Sequence, residues 1–344
     1  MIEERTVRAI YDRLGDNESR RIFDERLAYY LTGNEDHLFR IVEGIPEAQY
    51  LRSLLRRDER NYIFGCGRWG KAVAALASEA VTGFIDNDPK KWGGVISPTR
   101  IPIYPPEKLK EETTARVFLA VHMLGTDWQN EIAEQLAGFG VREECIIRVD
   151  RIIDELDAQQ YFDLPELPQD DHEVFVDGGA YTGDTIRGFR RWAKHFDHIY
   201  AFEPEAGNRA VCQKQLEQLG NNQLTLLPYG LWNRQEVLRF HTDKAQSCID
   251  ENGEEEIHLA ALDDVLPGQR VTFLKMDIEG AEQKALQGAA KTIQKYHPKL
   301  GICVYHKPED IYEIPAYILS LDASYRFYFR HYSLWHTETI LYGI

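Results

Sequence analysis

The stretch VFVDGGAYTGDT, residues 174–185, places an acidic residue and three glycines between an apolar run and a helical pattern. The apolar run predicts a strand over Glu173–Asp177, and the residues after the turn predict a helix over Thr182–Lys194. The following run predicts a strand over His198–Glu203, which completes a strand–helix–strand unit. Glycines at such a turn let the backbone approach a ligand closely, so this turn is the primary candidate binding site.

The charge of this turn limits the kind of ligand that it can hold. Asp177 stands before the glycines, where its carboxylate would repel a pyrophosphate but not a cationic ligand. Glu203 ends the next strand, where it can accept both hydroxyls of an unphosphorylated ribose. S-adenosylmethionine fits both conditions, because it carries a sulfonium, an ammonium and a ribose but no phosphate. The alternative is a tight turn in which the glycines serve packing alone.

Alternating strands and helices throughout the chain predict an α/β fold with two Rossmann-like domains. The last two apolar runs, Tyr325–Tyr332 and Thr339–Tyr342, follow one another without a crossover helix. They are therefore predicted to pair antiparallel at one edge of the C-terminal sheet.

The chain is long enough for about two domains of roughly 150 residues each. Two prolines and a cluster of acids in YFDLPELPQDDH indicate a linker. The first 55 residues have mixed helical spacings, which predict an amphipathic cap or a dimerisation element. The predicted parts are a helical N-terminal segment at 1–55, a small Rossmann-like domain at 56–160, a linker at 161–172 and a second α/β domain at 173–344.

A second glycine turn lies in the front domain. GCGRWG at 65–70 follows a predicted strand and precedes a predicted helix, and Asp86 ends the next strand. Phosphate at the helix N-terminus and ribose on Asp86 would make this a nucleotide or nucleotide-sugar site. A purely structural turn remains the alternative, because the unit spans only about 90 residues, near half of a full dinucleotide fold.

Composition argues against several classes of protein. The formal charge of −16 disfavours non-specific binding to nucleic acid or to an anionic membrane, since like charges repel. No apolar run approaches the roughly 20 residues that span a bilayer. The five cysteines are scattered and form no CxxC pair, which is typical of reduced thiols in a cytoplasmic protein.

Several segments of the C-terminal half resemble the FkbM family of Class I methyltransferases. The resemblance covers residues 173–344, and the block after the predicted strand at 271–277 is its most specific part. The matching segments are VFVDGGAYTGDT (174–185), YAFEPEAGN (200–208), LKMDIEGAEQKALQGA (274–289), ICVYHKPEDIYEIP (302–315) and YRFYFRHYS (325–333).

The resemblance implies a methyltransferase domain at 173–344, with a seven-stranded sheet whose last strand is antiparallel. It also implies S-adenosylmethionine as cofactor and O-methylation, commonly of sugars or polyketide hydroxyls. The cofactor site that it implies comprises Asp177, Gly178, Gly179, Ala180, Tyr181, Thr182, Gly183, Thr185, Glu203, Pro204, Gly230 and Leu231. The front half more loosely resembles the small nucleotide-sugar-binding domain of some sugar-modifying enzymes, through IFGCGRWG (63–70), GFIDNDPKKWGG (83–94) and IPIYPPEKL (101–109).

Asp277, Glu279 and His306 are the predicted catalytic residues. Asp277 and His306 end consecutive predicted strands, and ligands of parallel sheets lie beyond the carboxyl ends of the strands. A carboxylate or imidazole there could take the proton of an acceptor hydroxyl. Two alternatives are that the acids cap the helix starting near Ala281, or that the cluster binds a divalent metal. No metal is expected, because the sequence has no HxxxH motif or multi-Asp cluster.

The predicted substrate contacts are Tyr305, Arg330 and His331. Arg330 could anchor an anionic group of the acceptor, and Tyr305 could stack on a sugar ring. A surface charge at a strand end and edge packing are the respective alternatives.

The leading interpretation is an S-adenosylmethionine-dependent O-methyltransferase that acts on a sugar, nucleotide-sugar or glycan hydroxyl, in a cytoplasmic protein that could form a homodimer. One alternative is a nucleotide-sugar oxidoreductase or epimerase with NAD at 65–70, which would require a full-length dinucleotide fold. Another is a non-enzymatic binding protein that retains a degenerate cofactor fold.

Overall fold

The computed structural model describes residues 3–122, 127–217, 223–243, 246–249 and 255–344. The chain forms two compact units. The first comprises Met1–His37, Gln159–His331 and Thr337–Ile344, and the second comprises Leu38–Ala158 and Tyr332–His336. The described part of the N-terminal segment, 3–55, contains helices at Glu4–Tyr11, Asn17–Thr32, Asp36–Glu43 and Pro46–Leu54, and the two units divide it between them.

Helices α1 (Glu4–Tyr11) and α2 (Asn17–Thr32) open the first unit. The second unit then contains a six-stranded sheet flanked by helices. Its elements are α3 (Asp36–Glu43), α4 (Pro46–Leu54), β1 (Asn61–Phe64), α5 (Arg68–Leu76), β2 (Gly83–Ile85), β3 (Val95–Ile96), β4 (Ile101–Tyr104), β5 (Arg116–Leu119), α6 (Trp128–Gly138), β6 (Ile146–Arg148) and α7 (Val149–Gln159).

The sheet of the second unit has the order β3-β4-β2-β1-β5-β6, and only the β3–β4 pair is antiparallel. Its five parallel strands follow the order of the first five strands of the doubly wound dinucleotide-binding fold. The unit is therefore more complete than the half-fold that sequence patterns indicated. Strands β3 and β4 have no clear signal in the sequence, because β3 is two residues long and β4 contains Pro102.

The first unit continues with a seven-stranded sheet in the order β16-β17-β15-β14-β7-β8-β9. Strand β17 runs antiparallel to both of its neighbours, which confirms the predicted reversal of the last strand. The elements around this sheet are β7 (Glu173–Gly178), α8 (Asp184–Trp192), β8 (Phe196–Phe202), α9 (Ala206–Glu217), β9 (Leu224–Leu227), β14 (Phe273–Met276), α11 (Glu282–Gly288), α12 (Ala290–Tyr296), β15 (Lys299–Cys303), α13 (Asp310–Leu321), β16 (Phe327–His331) and β17 (Thr339–Gly343).

A separate four-stranded sheet lies between β9 and β14 in the chain, where the sequence analysis gave no strands. Its order is β10-β13-β11-β12. The elements are β10 (Gly230–Trp232), β11 (Glu236–Asp243), β12 (Gln246–Ile249), β13 (Glu255–Ala261) and the short helix α10 (Leu262–Val265).

The N-terminal helices cover the edge strand of the seven-stranded sheet. The Gly15 N–H donates to the Phe327 carbonyl at 2.8 Å, and the Phe327 N–H donates to the Arg13 carbonyl at the same distance. Phe23 of α2 is fully buried, and its ring packs at 5.9 Å from the ring of Phe329. The amphipathic segment thus protects an edge that would otherwise offer unpaired backbone groups to another chain.

Strand β7 occupies a central position in the sheet, and all six of its residues are buried. Its Phe175 ring stacks at 4.4 Å on Phe189 of α8 and meets Phe273 of β14 edge-on at 5.4 Å. This aromatic packing fixes α8 and β14 against the strand that leads into the glycine turn.

In the described part of the chain, no helix combines the length and the apolarity needed to cross a bilayer.

Candidate functional site

The glycine turn after β7 has a backbone that only glycine fits well. Gly179 has φ of +76°, and a Cβ added there would lie 2.0 Å from the Asp277 carbonyl oxygen. Gly183 has φ of +91° and stands at the N-cap of α8. Both positive φ angles and the close approach of Asp277 therefore require glycine at these positions.

Asp177 lies beneath the turn and is fully buried. The Lys275 ammonium of β14 lies 3.0 Å from its Oδ1 and also donates to the carbonyls of Gly178 at 3.1 Å and Gly179 at 2.8 Å. Burial raises the pKa of Asp177, and the charge of Lys275 opposes that rise. This buried pair therefore ties the turn to the neighbouring strand.

Glu203 lies beside the turn and is 5% exposed. Its Oε2 accepts the Tyr181 N–H at 2.8 Å, and its Oε1 accepts the Glu205 N–H at 3.0 Å. Burial raises the pKa of Glu203, and these two backbone donors act against that rise. Each carboxylate oxygen has a second lone pair, which leaves acceptor capacity for ribose hydroxyls.

The structure brings the remaining predicted cofactor residues to the same turn. A Cβ on Gly178 would lie 2.7 Å from Leu231 Cδ1, and a Cβ on Gly230 would lie 3.4 Å from Pro204 Cγ. Ala180 is buried, whereas the Tyr181 side chain is half exposed. The Thr182 hydroxyl donates to Asp184 at 2.9 Å, and Thr185 lies in the first turn of α8.

These residues suit S-adenosylmethionine chemically. Asp177 is buried and paired with Lys275, so the turn carries no surplus positive charge that would attract a phosphate. Glu203 adds a carboxylate beside the turn, which favours a ligand with hydroxyl donors and no phosphate.

Asp277 follows β14 directly and lies against the glycine turn. Its N–H donates to the Gly178 carbonyl at 3.1 Å. The hydroxyl of Tyr305 donates to its Oδ1 at 3.2 Å, and the hydroxyl of Tyr161 donates to its Oδ2 at 3.3 Å. Because Tyr161 is buried and Tyr305 is partly buried beside this acid, their pKa values rise and they remain neutral donors.

His306 lies among three carboxylates. Its Nε2 is 3.5 Å from Asp277 Oδ1 and 3.7 Å from Glu279 Oε2, and its Nδ1 is 3.0 Å from Glu282 Oε1. Burial alone lowers the pKa of His306, but Glu282 and the other two acids outweigh burial and raise it to about 9. The cluster therefore attracts positive charge.

The capping alternative for Asp277 and Glu279 does not hold in this structure. Helix α11 begins at Glu282, and its N-cap residue Ala281 makes no side-chain hydrogen bond. The Ile278 N–H instead donates a hydrogen bond to Glu282 Oε1 at 2.9 Å. Glu279 has φ of +56° and a side chain that is 69% exposed, so its carboxylate points away from the protein interior at the rim of the cluster.

Sequence reasoning missed Tyr161 and Glu282. Tyr161 stands at the start of the predicted linker, and its hydroxyl also lies 3.2 Å from Cys303 Sγ. Glu282 is fully buried although it occupies the first turn of a helix. The sequence signal for Glu282 is its place in the DIEGAE block at 277–282.

Two of the three predicted substrate residues lie outside this cluster. The Arg330 guanidinium is paired with Asp16 at 2.6 Å and therefore ties β16 to the N-cap of α2. His331 is buried, with its Nδ1 at 2.9 Å from the Thr339 hydroxyl. Tyr305 is the one that the structure places with Asp277.

The glycine turn of the second unit has packing reasons for its glycines. Gly65 has φ of +105°, and a Cβ on Gly70 would lie 1.9 Å from the Gly65 carbonyl oxygen. The Asp86 carboxylate accepts the Cys66 N–H at 3.0 Å and pairs with Lys91 at 2.9 Å. Asp86, the acid that would hold a ribose, therefore already has partners within the protein.

Comparison with known proteins adds to this geometry. The model of a family described as Methyltransferase FkbM domain matches residues 177–327. No curated protein matches the chain. A crystal structure of methyltransferase FkbM from Methylobacillus flagellatus KT is similar with a TM-score of 0.52 and 19% identity, over 95% of this chain and 99% of that one. The two chains therefore share a fold over nearly their whole length.

Two further solved structures cover only part of this chain. An rRNA methylase from Streptococcus thermophilus matches 57% of it and 93% of its own length, with 16% identity and a TM-score of 0.34. Aeropyrum pernix fibrillarin with natively bound S-adenosyl-L-methionine matches 55% of it and 74% of its own length, with 12% identity and a TM-score of 0.36. Scores this low do not establish a shared fold.

Proposed function

Residues 177–327 of this chain are an FkbM methyltransferase domain, and from that premise we propose that the protein methylates a hydroxyl of a sugar, nucleotide-sugar or glycan. The protein is a methyltransferase that uses S-adenosylmethionine. The observation that carries the finer proposal is the position of Asp277, which joins the glycine turn through its N–H and faces two tyrosine hydroxyls. Carboxylate and hydroxyl groups close to the glycine turn suit a neutral acceptor with several hydroxyls.

The glycine turn and Glu203 would hold the cofactor. Lys275 fixes the turn through the carbonyls of Gly178 and Gly179, and Glu203 fixes it through the Tyr181 N–H. S-adenosylmethionine, when bound, supplies a methyl group on a good leaving group. The task of the protein is then to align the acceptor oxygen and exclude water, which can supply ~7–11 kcal/mol of the barrier.

We assign Asp277, Glu279 and His306 to the chemical step, with a carboxylate of the cluster as the base, because His306 with a pKa of about 9 is already protonated near neutral pH. The hydroxyl must lose its proton as its oxygen gains the methyl group, and a base typically contributes ~100- to 10,000-fold. Tyr161 and Tyr305 hold the Asp277 carboxylate in place by donating to separate oxygens. Tyr305 would also lie against the acceptor ring, whereas Arg330 is paired with Asp16.

One observation favours a second candidate function. The strand order of the second unit and its turn at 65–70 suit a nucleotide, as an NAD-dependent oxidoreductase or epimerase would require. Against this, Asp86 is already paired with Lys91. Titration with NAD decides between the two, because only the second candidate requires tight NAD binding.

The described cysteines support a cytoplasmic location. Cys66, Cys145, Cys212 and Cys303 are all free and buried, as expected for thiols in a reducing compartment. Cys248, the fifth, has no described side chain.

The proposal is tested with S-adenosylmethionine carrying a labelled methyl group and a panel of nucleotide sugars, free sugars and oligosaccharides. We expect mass spectrometry to locate the label on a sugar oxygen of at least one acceptor. The matched control is the same acceptor lacking that hydroxyl, which should stay unlabelled. Label on nitrogen or carbon only, or transfer only to acceptors without a sugar, would overturn the proposal.

A further inference from the structure

Three side chains beside the methyl-transfer site have the arrangement of a metal-binding group. Asp277 follows β14, His306 follows β15 by three residues, and Glu282 begins α11. Each offers one ligand atom, and these atoms all lie within 4.8 Å of one another. The ligands come from three separated elements, which is why no metal motif is visible in the sequence.

The cluster also contains buried polar atoms without partners. Glu282 is fully buried, and within the described ranges its Oε2 has no hydrogen-bond partner. The His306 side chain is nine-tenths buried; its Nδ1 lies 3.0 Å from Glu282 Oε1, and its Nε2 has no hydrogen-bond partner among the described residues. Since buried polar groups in native proteins are almost always satisfied, such atoms indicate a bound ion or water.

The charge balance favours a cation. Asp277, Glu279 and Glu282 surround one imidazole. Nearby, Lys275 is already paired with Asp177, and the Lys307 ammonium donates to the Gly280 carbonyl. Buried carboxylates are costly unless they are paired or coordinate a metal.

We propose that Asp277, Glu282 and His306 bind a divalent cation. Two carboxylates and one imidazole form a ligand set rich in oxygen, which suits Mn²⁺ better than metals that prefer sulfur. Three protein ligands leave open positions for an acceptor oxygen. This proposal differs from the sequence-based expectation that the chain holds no metal, and its third ligand is Glu282 rather than Glu279.

The role of this cation rests on the proposed function. A hydroxyl oxygen bound to the cation would have a lowered pKa. Its proton passes to Glu279, which is exposed at the rim and is not a ligand. The oxygen then forms a bond to the methyl carbon while the bond between that carbon and sulfur breaks, which leaves a neutral thioether. The step needs no oxidant or reductant.

The test measures metal binding by itself. The full chain is stripped with a chelator, exchanged into chelator-free buffer and titrated with Mn²⁺ alone, and free Mn²⁺ is followed by electron paramagnetic resonance. We expect one Mn²⁺ per chain. Glu282→Gln and His306→Ala should each weaken binding by 10-fold or more, on the order of 1.4 kcal/mol.

Two controls separate ligand loss from misfolding. Glu279→Gln should retain Mn²⁺ affinity, because Glu279 is not a proposed ligand. Glu282→Gln keeps the shape of the side chain, and its thermal unfolding and S-adenosylhomocysteine affinity should stay close to those of the parent. Absence of stoichiometric Mn²⁺ binding, or unchanged affinity in folded Glu282→Gln, would overturn the site.

The two proposals fail in different ways. Stoichiometric Mn²⁺ binding that depends on Glu282, in a protein that methylates no sugar, would support the metal site and remove the proposed acceptor. Sugar methylation that survives chelation, without Mn²⁺ binding, would remove the metal site and retain the proposed function.

Discussion

Asp277→Asn is expected to lower turnover by ~100-fold or more while S-adenosylhomocysteine affinity stays nearly unchanged. The substitution keeps the shape of the side chain and removes its charge. Asp277 lies beside the glycine turn, where its carboxylate accepts hydrogen bonds from the hydroxyls of Tyr161 and Tyr305. A group that acts only in the transition state affects the rate rather than cofactor binding, so turnover and affinity are measured on the same preparation.

His306→Ala is the companion variant and should show a loss of similar size. Glu313→Gln is the matched control, because it removes an exposed acid of α13 that is not part of the cluster. If Asp277→Asn and His306→Ala both turned over like the parent, positioning alone would account for catalysis. These side chains would then have only packing roles.

Gly179→Ala is expected to weaken S-adenosylhomocysteine binding by 10-fold or more. The φ of +76° disfavours alanine, which costs ~1–3 kcal/mol. The added Cβ would also lie 2.0 Å from the Asp277 carbonyl oxygen, so the backbone of the turn must move. Since 1.4 kcal/mol corresponds to tenfold in affinity, even part of this strain is measurable by calorimetric titration.

Gly33→Ala is the matched control for backbone strain. Gly33 has a similar φ of +66°, but it stands at the C-cap of α2 and a Cβ there would meet nothing within 4 Å. We expect Gly33→Ala to lose some thermal stability and to bind S-adenosylhomocysteine like the parent. Parental affinity in folded Gly179→Ala would show that the cofactor does not use this turn.

The C-terminal sheet could be predicted because its signals are local. The acid-led glycine turn, the apolar runs and the absence of a crossover helix before Thr339 all lie in short stretches of sequence. The four-stranded sheet after Leu227 could not be predicted. Its strands β10 and β11 both pair with β13, which lies further along the chain, and β10 has only three residues. Pairing of that kind leaves little periodicity in the sequence.

The site shows the same division between local and distant signals. Asp177 and Glu203 could be placed at strand ends, but the partner of Asp177 is Lys275, 98 positions later. Arg330 lies at a strand end and was therefore predicted to contact the substrate. In the structure its partner is Asp16, which lies near the other end of the chain. Which side chain neutralises which charge depends on tertiary contacts, and a single sequence does not contain that information.

The most direct test of the central claim is calorimetric titration of S-adenosylhomocysteine into the parent protein and Glu203→Ala. If Glu203 holds the ribose beside the turn, the substitution should weaken binding by ~1–3 kcal/mol through lost hydrogen bonds to a charged group. Thermal unfolding would first show that Glu203→Ala is folded. Unchanged affinity in that folded variant would contradict the assignment of the cofactor to the turn at Asp177–Thr185.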